Sequence, residues 1–384
     1  MKKYNNRIVL LYVLAAASPL AFGVWMVLLN NFVVEVAHFN GEHIGFLQSI
    51  REIPGLLSFT VVFWLLLFKQ QVATYLFLIL LGVGVFLTGL FPSTIGLYIT
   101  TIVMSFGFHY GEVLYSSLSL QWLKKSEAPA ILGKQISLRA FISIFVMLLI
   151  FLLIKVYHVE YKYIYMIFGG LSIALVLFAW IFFDQFENFE IQEKKLFLRK
   201  KYWLYYLLTF LAGARRQIFV VFAAFLLVEK FGFSIDKMIM IYLVNKIISM
   251  ISAPIVGKLV TRFGEKLSLR IEYISLMIIF FLYGIVKDPN IAILLFIFDH
   301  ILFSMAIALK TYFQKIADPK DITATGGVSF AINHIAAIFL PAILGLLWLK
   351  SYSLVFFIGT FIAILSFVLT FFMPNELPKY SIQQ

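Results

Sequence analysis

The chain has 384 residues, 62% of them hydrophobic and only 13% charged, with a formal net charge of +12 and no cysteine. A soluble globule is about 45–50% apolar and about 25% charged, so a water-soluble fold is excluded. So are disulfides, thiol catalysis and cysteine metal sites. The basic excess would suit nucleic acid in a soluble protein, but beside long apolar blocks it reads as positive charge at the cytoplasmic ends of membrane spans.

A bilayer core offers no water to backbone groups, so spanning segments are helices or a closed barrel. The blocks here are continuously apolar and do not alternate, which selects helices of roughly 20 residues each. Residues 1–7 are basic and precede an apolar run without a small-residue cleavage site, so the run is a retained first span. Taken in order, the first six spans are 8–31, 44–68, 72–90, 95–122, 135–156 and 163–183. The second carries Arg51 and Glu52, the fourth His109 and Glu112, and the fifth Arg139. A polar break at 184–201 follows, the one long break in the chain.

The remaining six spans are 202–228, 234–256, 267–286, 290–311, 326–349 and 352–372. Arg215 and Arg216 sit near the middle of the seventh, where a single cation costs roughly 2.5–3.5 kcal/mol on insertion scales. The eighth holds Lys246, the tenth Asp299 and His300, and the eleventh Asn333 and His334. In span nine Glu272 lies near one end. The expected organisation is an all-α membrane protein with an N-terminal six-helix bundle (1–183), a cytoplasmic linker (184–201) and a C-terminal six-helix bundle (202–384). Six spans repeated once are typical of secondary transporters. With the N-terminus inside, twenty of the 31 Lys and Arg residues fall in inside segments, six outside and five within spans. That bias predicts both termini in the cytoplasm.

The loop after span 8 reads Gly257-Lys-Leu-Val-Thr-Arg-Phe-Gly-Glu-Lys266. It resembles the Gly-x-Leu-x-Asp-Arg-x-Gly-x-Lys loop that the major facilitator superfamily carries after its second and eighth helices. Thr261 stands where that family has Asp, and the corresponding first-half loop at 67–71 lacks the pattern. In this motif Gly257 lets helices approach, Gly264 permits a tight turn, and Arg262 and Lys266 can bond helix C-terminal carbonyls. These four, with the neighbours Arg51 and Glu52, are the candidate gating residues. Arg51 and Glu52 can equally serve to neutralise one another.

The resemblance implies twelve transmembrane helices, with the third, sixth, ninth and twelfth as supports and the rest lining a central cavity. The deep ionisable residues fall in spans 2, 4, 5, 7, 8, 10 and 11, in keeping with that division. Several lie at helical spacing: Ser105, His109, Glu112 and Ser116 on span 4, and Tyr242, Asn245, Lys246 and Ser249 on span 8. Arg215, Arg216, Lys246 and Asn333 are the candidate substrate-binding residues, since guanidinium and ammonium groups hold carboxylate or phosphate. Adjacent helix positions diverge by about 100°, so one arginine faces a ligand and the other packs against a neighbouring helix. Asp299 is the expected counter-charge of the pair. Asp299, Glu112 and His300 are the candidate proton-coupling groups. An arginine in the seventh helix also resembles the superfamily's organophosphate antiporters, but those pair it with one in the first helix, which is missing here.

The embedded charges are five cations against Glu52, Glu112 and Asp299, which favours an anionic or zwitterionic organic solute. No Walker loop is present, and the six histidines show no metal-ligand spacing. The expected protein is a monomeric, cofactor-free and metal-free secondary transporter of a bacterial inner membrane, proton-coupled and not an enzyme. A proton-driven exporter of drugs or metabolites is the rival within the class. An acyl transferase-like membrane enzyme using His300 or His334, or a receptor, is the rival outside it.

Overall fold

Apolar blocks of this length in lipid satisfy their backbone groups only by coiling, and the computed structural model is built accordingly. It describes residues 2–39, 41–186, 198–233, 235–348 and 350–374, and all its regular elements there are helical. Helix α1 runs through Lys2–Ser18, a π-helical Pro19–Gly23 and Val24–Glu35. Helix α2 comprises Gly41–Leu56, a 3₁₀ turn at Leu57–Thr60 and Val61–Trp64. Helices α3 to α6 are Gln70–Thr88, Thr94–Trp122, Ala128–Lys155 and Tyr161–Phe182.

Helix α7 begins in a 3₁₀ turn at Lys200–Tyr202 and continues as Trp203–Gln217, a π-helical Ile218–Ala223 and Ala224–Glu229. Helices α8 and α9 are Ile235–Phe263 and Glu265–Ile285. Helix α10 is Pro289–Leu302, a 3₁₀ turn Phe303–Met305 and Ala306–Ile316. Helix α11 is Pro319–Asp321 and Ile322–Trp348, and α12 is Tyr352–Leu369 with Thr370–Phe372. Most of the expected linker, 187–197, lies outside the described residues.

The ends have local causes. Ser93 caps α4 by accepting from the Gly96 amide at 3.1 Å. Asp288 caps α10 by accepting from the Asn290 amide at 2.6 Å, with Pro289 in the first turn, where its missing N–H is harmless. Gly264, at φ +80°, breaks α8 from α9 in a conformation that other residues adopt only with strain. Ten of the twelve helices are long and apolar enough, by length and composition, to cross a membrane. The two exceptions are α2, interrupted after Pro54, and α4, which carries Ser105, His109, Glu112 and Gln121.

The two sets of six share irregularities. The first helix of each set contains a π-helical stretch, Pro19–Gly23 in α1 and Ile218–Ala223 in α7. The second of each holds an internal proline, Pro54 in α2 and Pro254 in α8. An internal repeat accounts for both. π-helical stretches in long helices often mark functional sites, and the one in α7 begins directly after Arg215, Arg216 and Gln217.

Packing divides the chain into two units. The first holds Met1–Leu123, Leu138–Phe197 and Lys320–Ala331. Its centre is α3, which meets α4 and α6 at glycines. Gly84 abuts the Met104 backbone, Gly107 abuts Leu81, and Gly82 and Gly169 face one another. Small residues at crossing points let transmembrane backbones approach closely.

The second unit holds Lys124–Ser137, Leu198–Pro319 and Ile332–Gln384. Its apolar core joins α7, α9, α10 and α12 through Ile218, Phe222, Phe280, Phe296 and Phe356. The first turns of α5 lie along α8 in this unit. Gly133 meets the Ala253 carbonyl, Gly257 meets that of Pro129, and Ser137 Oγ donates to the Met250 carbonyl at 2.5 Å. A methyl added at Gly257 would collide with backbone that cannot rotate away. Gly257→Ala is therefore expected to destabilise by about 1–3 kcal/mol, read as a lower unfolding temperature in detergent. Gly326 has open space around its α-carbon, so Gly326→Ala is expected to stabilise by roughly 0.5–1 kcal/mol through helix propensity alone. Equal shifts in the two variants would show that the α5–α8 seam is not tight.

Candidate functional site

Arg215 and Arg216 point different ways from α7. Arg215 is 4% exposed and turned to α9 and α12. Its Nη1 donates to Ser366 Oγ, its Nη2 lies 3.7 Å from Glu272 Oε1, and its guanidinium stacks 4.6 Å over the Tyr273 ring. The carboxylate that meets Arg215 is thus Glu272, on a support helix, and not Asp299 as the sequence suggested. Glu272 gave little signal in the sequence because it sits towards the start of α9, close to the polar loop. Asp299 is also buried in this unit, and its charge is felt by the Arg215–Glu272 pair. Its Oδ2 has no hydrogen-bond partner among the described residues.

Arg216 is half-buried. It stands one turn from Gly213 on α7, and a side chain at Gly213 would run into the Asn333 amide of α11. Positions three apart share a helix face, so Arg216 and Asn333 belong to the α7–α11 side of the unit and Arg215 to the α7–α9–α12 side.

Helix α8 has two exposed faces. Met240, Val244, Ile247, Ile251 and Ile255 recur at helical spacing as an apolar stripe suited to lipid. Tyr242, Lys246 and Ser249 lie round the other side, with Tyr242 47% exposed and Lys246 half-buried. Asn245, expected in the same stripe, is instead 1% exposed inside the unit, and neither end of its amide has a hydrogen-bond partner among the described residues. On α10 the exposed apolar stripe is Ile291, Leu294 and Phe298, and His300 projects away from it. Lys246 is near enough for its charge to act on His300. Lys246 carries no ion pair among the described residues.

In the first unit the embedded charges are matched. Arg139 Nη1 lies 2.8 and 3.0 Å from the two carboxylate oxygens of Glu112 and the guanidinium stacks 4.8 Å over Tyr115. Glu112, a candidate proton-coupling group in the sequence, has Arg139 as its partner, one helix on. Arg51 grips its neighbour Glu52 at 2.5 and 3.1 Å and reaches Met26 Sδ at 3.4 Å. Ser105 and His109 bond one another at 2.9 Å on α4, and Ser105 also donates to the Arg51 carbonyl.

The sequence model of the Major Facilitator Superfamily matches residues 11–326, most of the chain. The chain belongs to the major facilitator superfamily. Solved members agree in fold. The transporter FucP in its outward conformation, an E. coli fucose:proton symporter, aligns with a TM-score of 0.78 at 13% identity, covering 97% of this chain and 100% of its own. The proton:xylose symporter XylE aligns at 0.73 and 11% identity, covering 97% and 96%. The human organic anion transporter MFSD10 aligns at 0.70 and 12% identity, covering 96% and 99%. No curated protein matches the chain at the level of sequence. This is a multi-pass membrane protein with the twelve-helix superfamily fold, and it moves a small-molecule solute.

The superfamily loop between α8 and α9 has its own geometry here. Thr261, in the family's Asp position, donates to the Gly257 carbonyl within α8 at 3.0 Å. Arg262 is exposed, with its guanidinium near the ring of its neighbour Phe263. Lys266 reaches the Met373 carbonyl at the end of α12 at 2.7 Å. Glu265, 2% exposed, takes an ion pair from Lys315 at 2.7 Å, and neither residue stood out in the sequence.

A second unforeseen group is uncharged and lies in the first unit. Gln121 donates to Gln70 at 2.9 Å and Ser117 at 2.8 Å, and Thr323 lies 2.6 Å from Ser117. Gln71 clamps the start of the linker, donating to the Asp184 carbonyl at 3.0 Å and accepting from the Phe186 amide at 2.9 Å. Scattered Gln, Ser and Thr carry little pattern in a sequence, which is why these bonds were not foreseen.

Proposed function

We propose that the protein is a secondary transporter, not an enzyme, that moves a small anionic organic solute by alternating access, coupled to protons. The observation that carries the reading is Lys246, an embedded cation on the polar exposed face of α8 with no ion pair among the described residues. An uncompensated cation at membrane depth is costly, and an anionic solute would supply the missing charge. Arg51, Arg139 and Arg215 have carboxylate partners of their own, which removes them from the first rank of solute ligands. Arg216 and Asn333, on the α7–α11 side, are further candidate contacts.

Asp299 is the proposed proton carrier. Arg215 is one cation set among two carboxylates, Glu272 and Asp299, so one proton balances the group. Glu112 is bound to Arg139 and serves the fold first. The proposed setting is a bacterial inner membrane with both termini in the cytoplasm and the chain acting as a monomer. The names of the organic anion transporter MFSD10 and of the proton symporters FucP and XylE, which share the fold, support the two elements of the proposal.

The test is uptake into proteoliposomes of a panel of organic anions, neutral sugars and amines, with and without a proton uncoupler. Anion uptake that collapses with the uncoupler is expected. Lys246→Gln is expected to slow it about ten- to a hundredfold, since hydrogen bonds to charged groups are worth about 1.5–3 kcal/mol. Full uptake in Lys246→Gln would remove that residue from the solute site, and uptake of sugars or amines alone would overturn the anionic reading.

A further inference from the structure

The rings beside Lys246 narrow the kind of anion. Tyr242 of α8 meets Phe296 of α10 edge-on at 5.9 Å between ring centres. Phe296 lies 4.9 Å from Phe219 of α7, and Phe219 lies 4.9 Å from Phe303 and 6.1 Å from His300. His300 and Phe303 close the series at 5.8 Å. Five rings from three helices form one continuous wall, and Lys246 stands one helical turn from Tyr242 on α8. The wall's middle and its ends behave differently. Phe296 and Phe219 are buried and hold the wall in place, whereas Tyr242, His300 and Phe303 remain partly exposed. Tyr242 and His300 also project away from the lipid-suited stripes of their helices, so lipid does not account for their exposure.

A flat aromatic body packs edge-to-face or offset against such rings better than a puckered aliphatic one of equal size, because ring quadrupoles add to the area buried. An ammonium group holds a carboxylate as a point charge, without a fixed fork. We infer that Lys246 and this wall form the seat of an aromatic carboxylate. Lys246 takes the carboxylate, and the exposed rings of the wall, Phe303 among them, take the ring. The inference rests on the anionic reading above and specifies its substrate class.

The test uses the full chain in detergent and the unfolding temperature as the measure of binding, since a ligand that binds only the folded state raises it. The probes are phenylacetate, cyclohexylacetate, acetate and the neutral phenylacetamide. Phenylacetate is expected to bind about three- to tenfold more tightly than cyclohexylacetate, the factor that aromatic pairing supplies. Phe303→Leu is expected to erase that preference, read as ligand-induced shifts from the variant's own ligand-free unfolding temperature. Lys246→Gln is expected to erase the preference for phenylacetate over phenylacetamide. Equal binding of phenylacetate and cyclohexylacetate would overturn the aromatic seat and leave the anionic reading standing. Tighter binding of phenylacetamide than of phenylacetate would overturn both. Absence of binding by all four probes would overturn the seat, and the proteoliposome panel would then decide the anionic reading separately.

Discussion

Arg215→Leu is expected to destabilise the protein by about 3–5 kcal/mol, the cost of removing one partner from a buried ion pair. The size follows from what is left behind. Arg215 is the cation beside Glu272 and Asp299, and it also donates to Ser366 and stacks on Tyr273. Without it two buried carboxylates are left with no counter-charge, and a stacking contact is lost as well. Arg215→Leu with Glu272→Leu removes both members of the pair and is expected to recover much of the loss, because apolar replacement of a whole buried pair is often neutral. The chain has no cysteine, so one introduced at the buried Ala363 in α12 reports unfolding through its thiol reactivity. If the single variant unfolds like the parent, or the double variant is worse than the single, the ion pair is not what holds α7 to α9 and α12.

This pair also shows how far a sequence reading reaches. Twelve apolar blocks are periodic features and survive translation into structure, whereas the expected loop at Gly257–Lys266 is helical up to Phe263 and again from Glu265, with Gly264 alone between the two helices. That Arg215 and Arg216 cannot share one direction follows from helix geometry alone. The direction each takes is a property of neighbours far apart in the chain. Glu272 and Ser366 approach Arg215 only because α9 and α12 pack against α7, and no spacing along one helix records that. Glu112 and Arg139 posed the same problem. Both were visible as embedded charges, but their pairing depends on the crossing of α4 and α5. Lys246 is the converse case. Its polar stripe on α8 was legible, and packing added that its neighbour His300 brings no negative charge.

Asp299→Asn is expected to abolish accumulation against a gradient while leaving solute exchange at a similar rate. Asparagine has nearly the shape of the carboxylic acid and holds the site permanently in its uncharged state, so the conformational step no longer waits on a proton. A pH difference of one unit supplies about 1.4 kcal/mol per proton, enough for roughly tenfold accumulation. The parent is therefore expected to concentrate its solute about tenfold under that gradient, and the variant to stop at equal concentrations. Exchange of labelled for unlabelled solute needs no net proton movement and separates lost coupling from lost binding. Folding is not expected to suffer. Asp299 is 2% exposed with Oδ2 unpartnered among the described residues, and the amide removes a charge that the Arg215–Glu272 pair does not need for its own balance. If Asp299→Asn still accumulates solute, the proton is carried elsewhere. Glu272→Gln is then the decisive companion, since Glu272 is the other carboxylate beside Arg215. Loss of accumulation there, with exchange retained, would move the carrier from α10 to the support helix α9 without disturbing the solute site at Lys246.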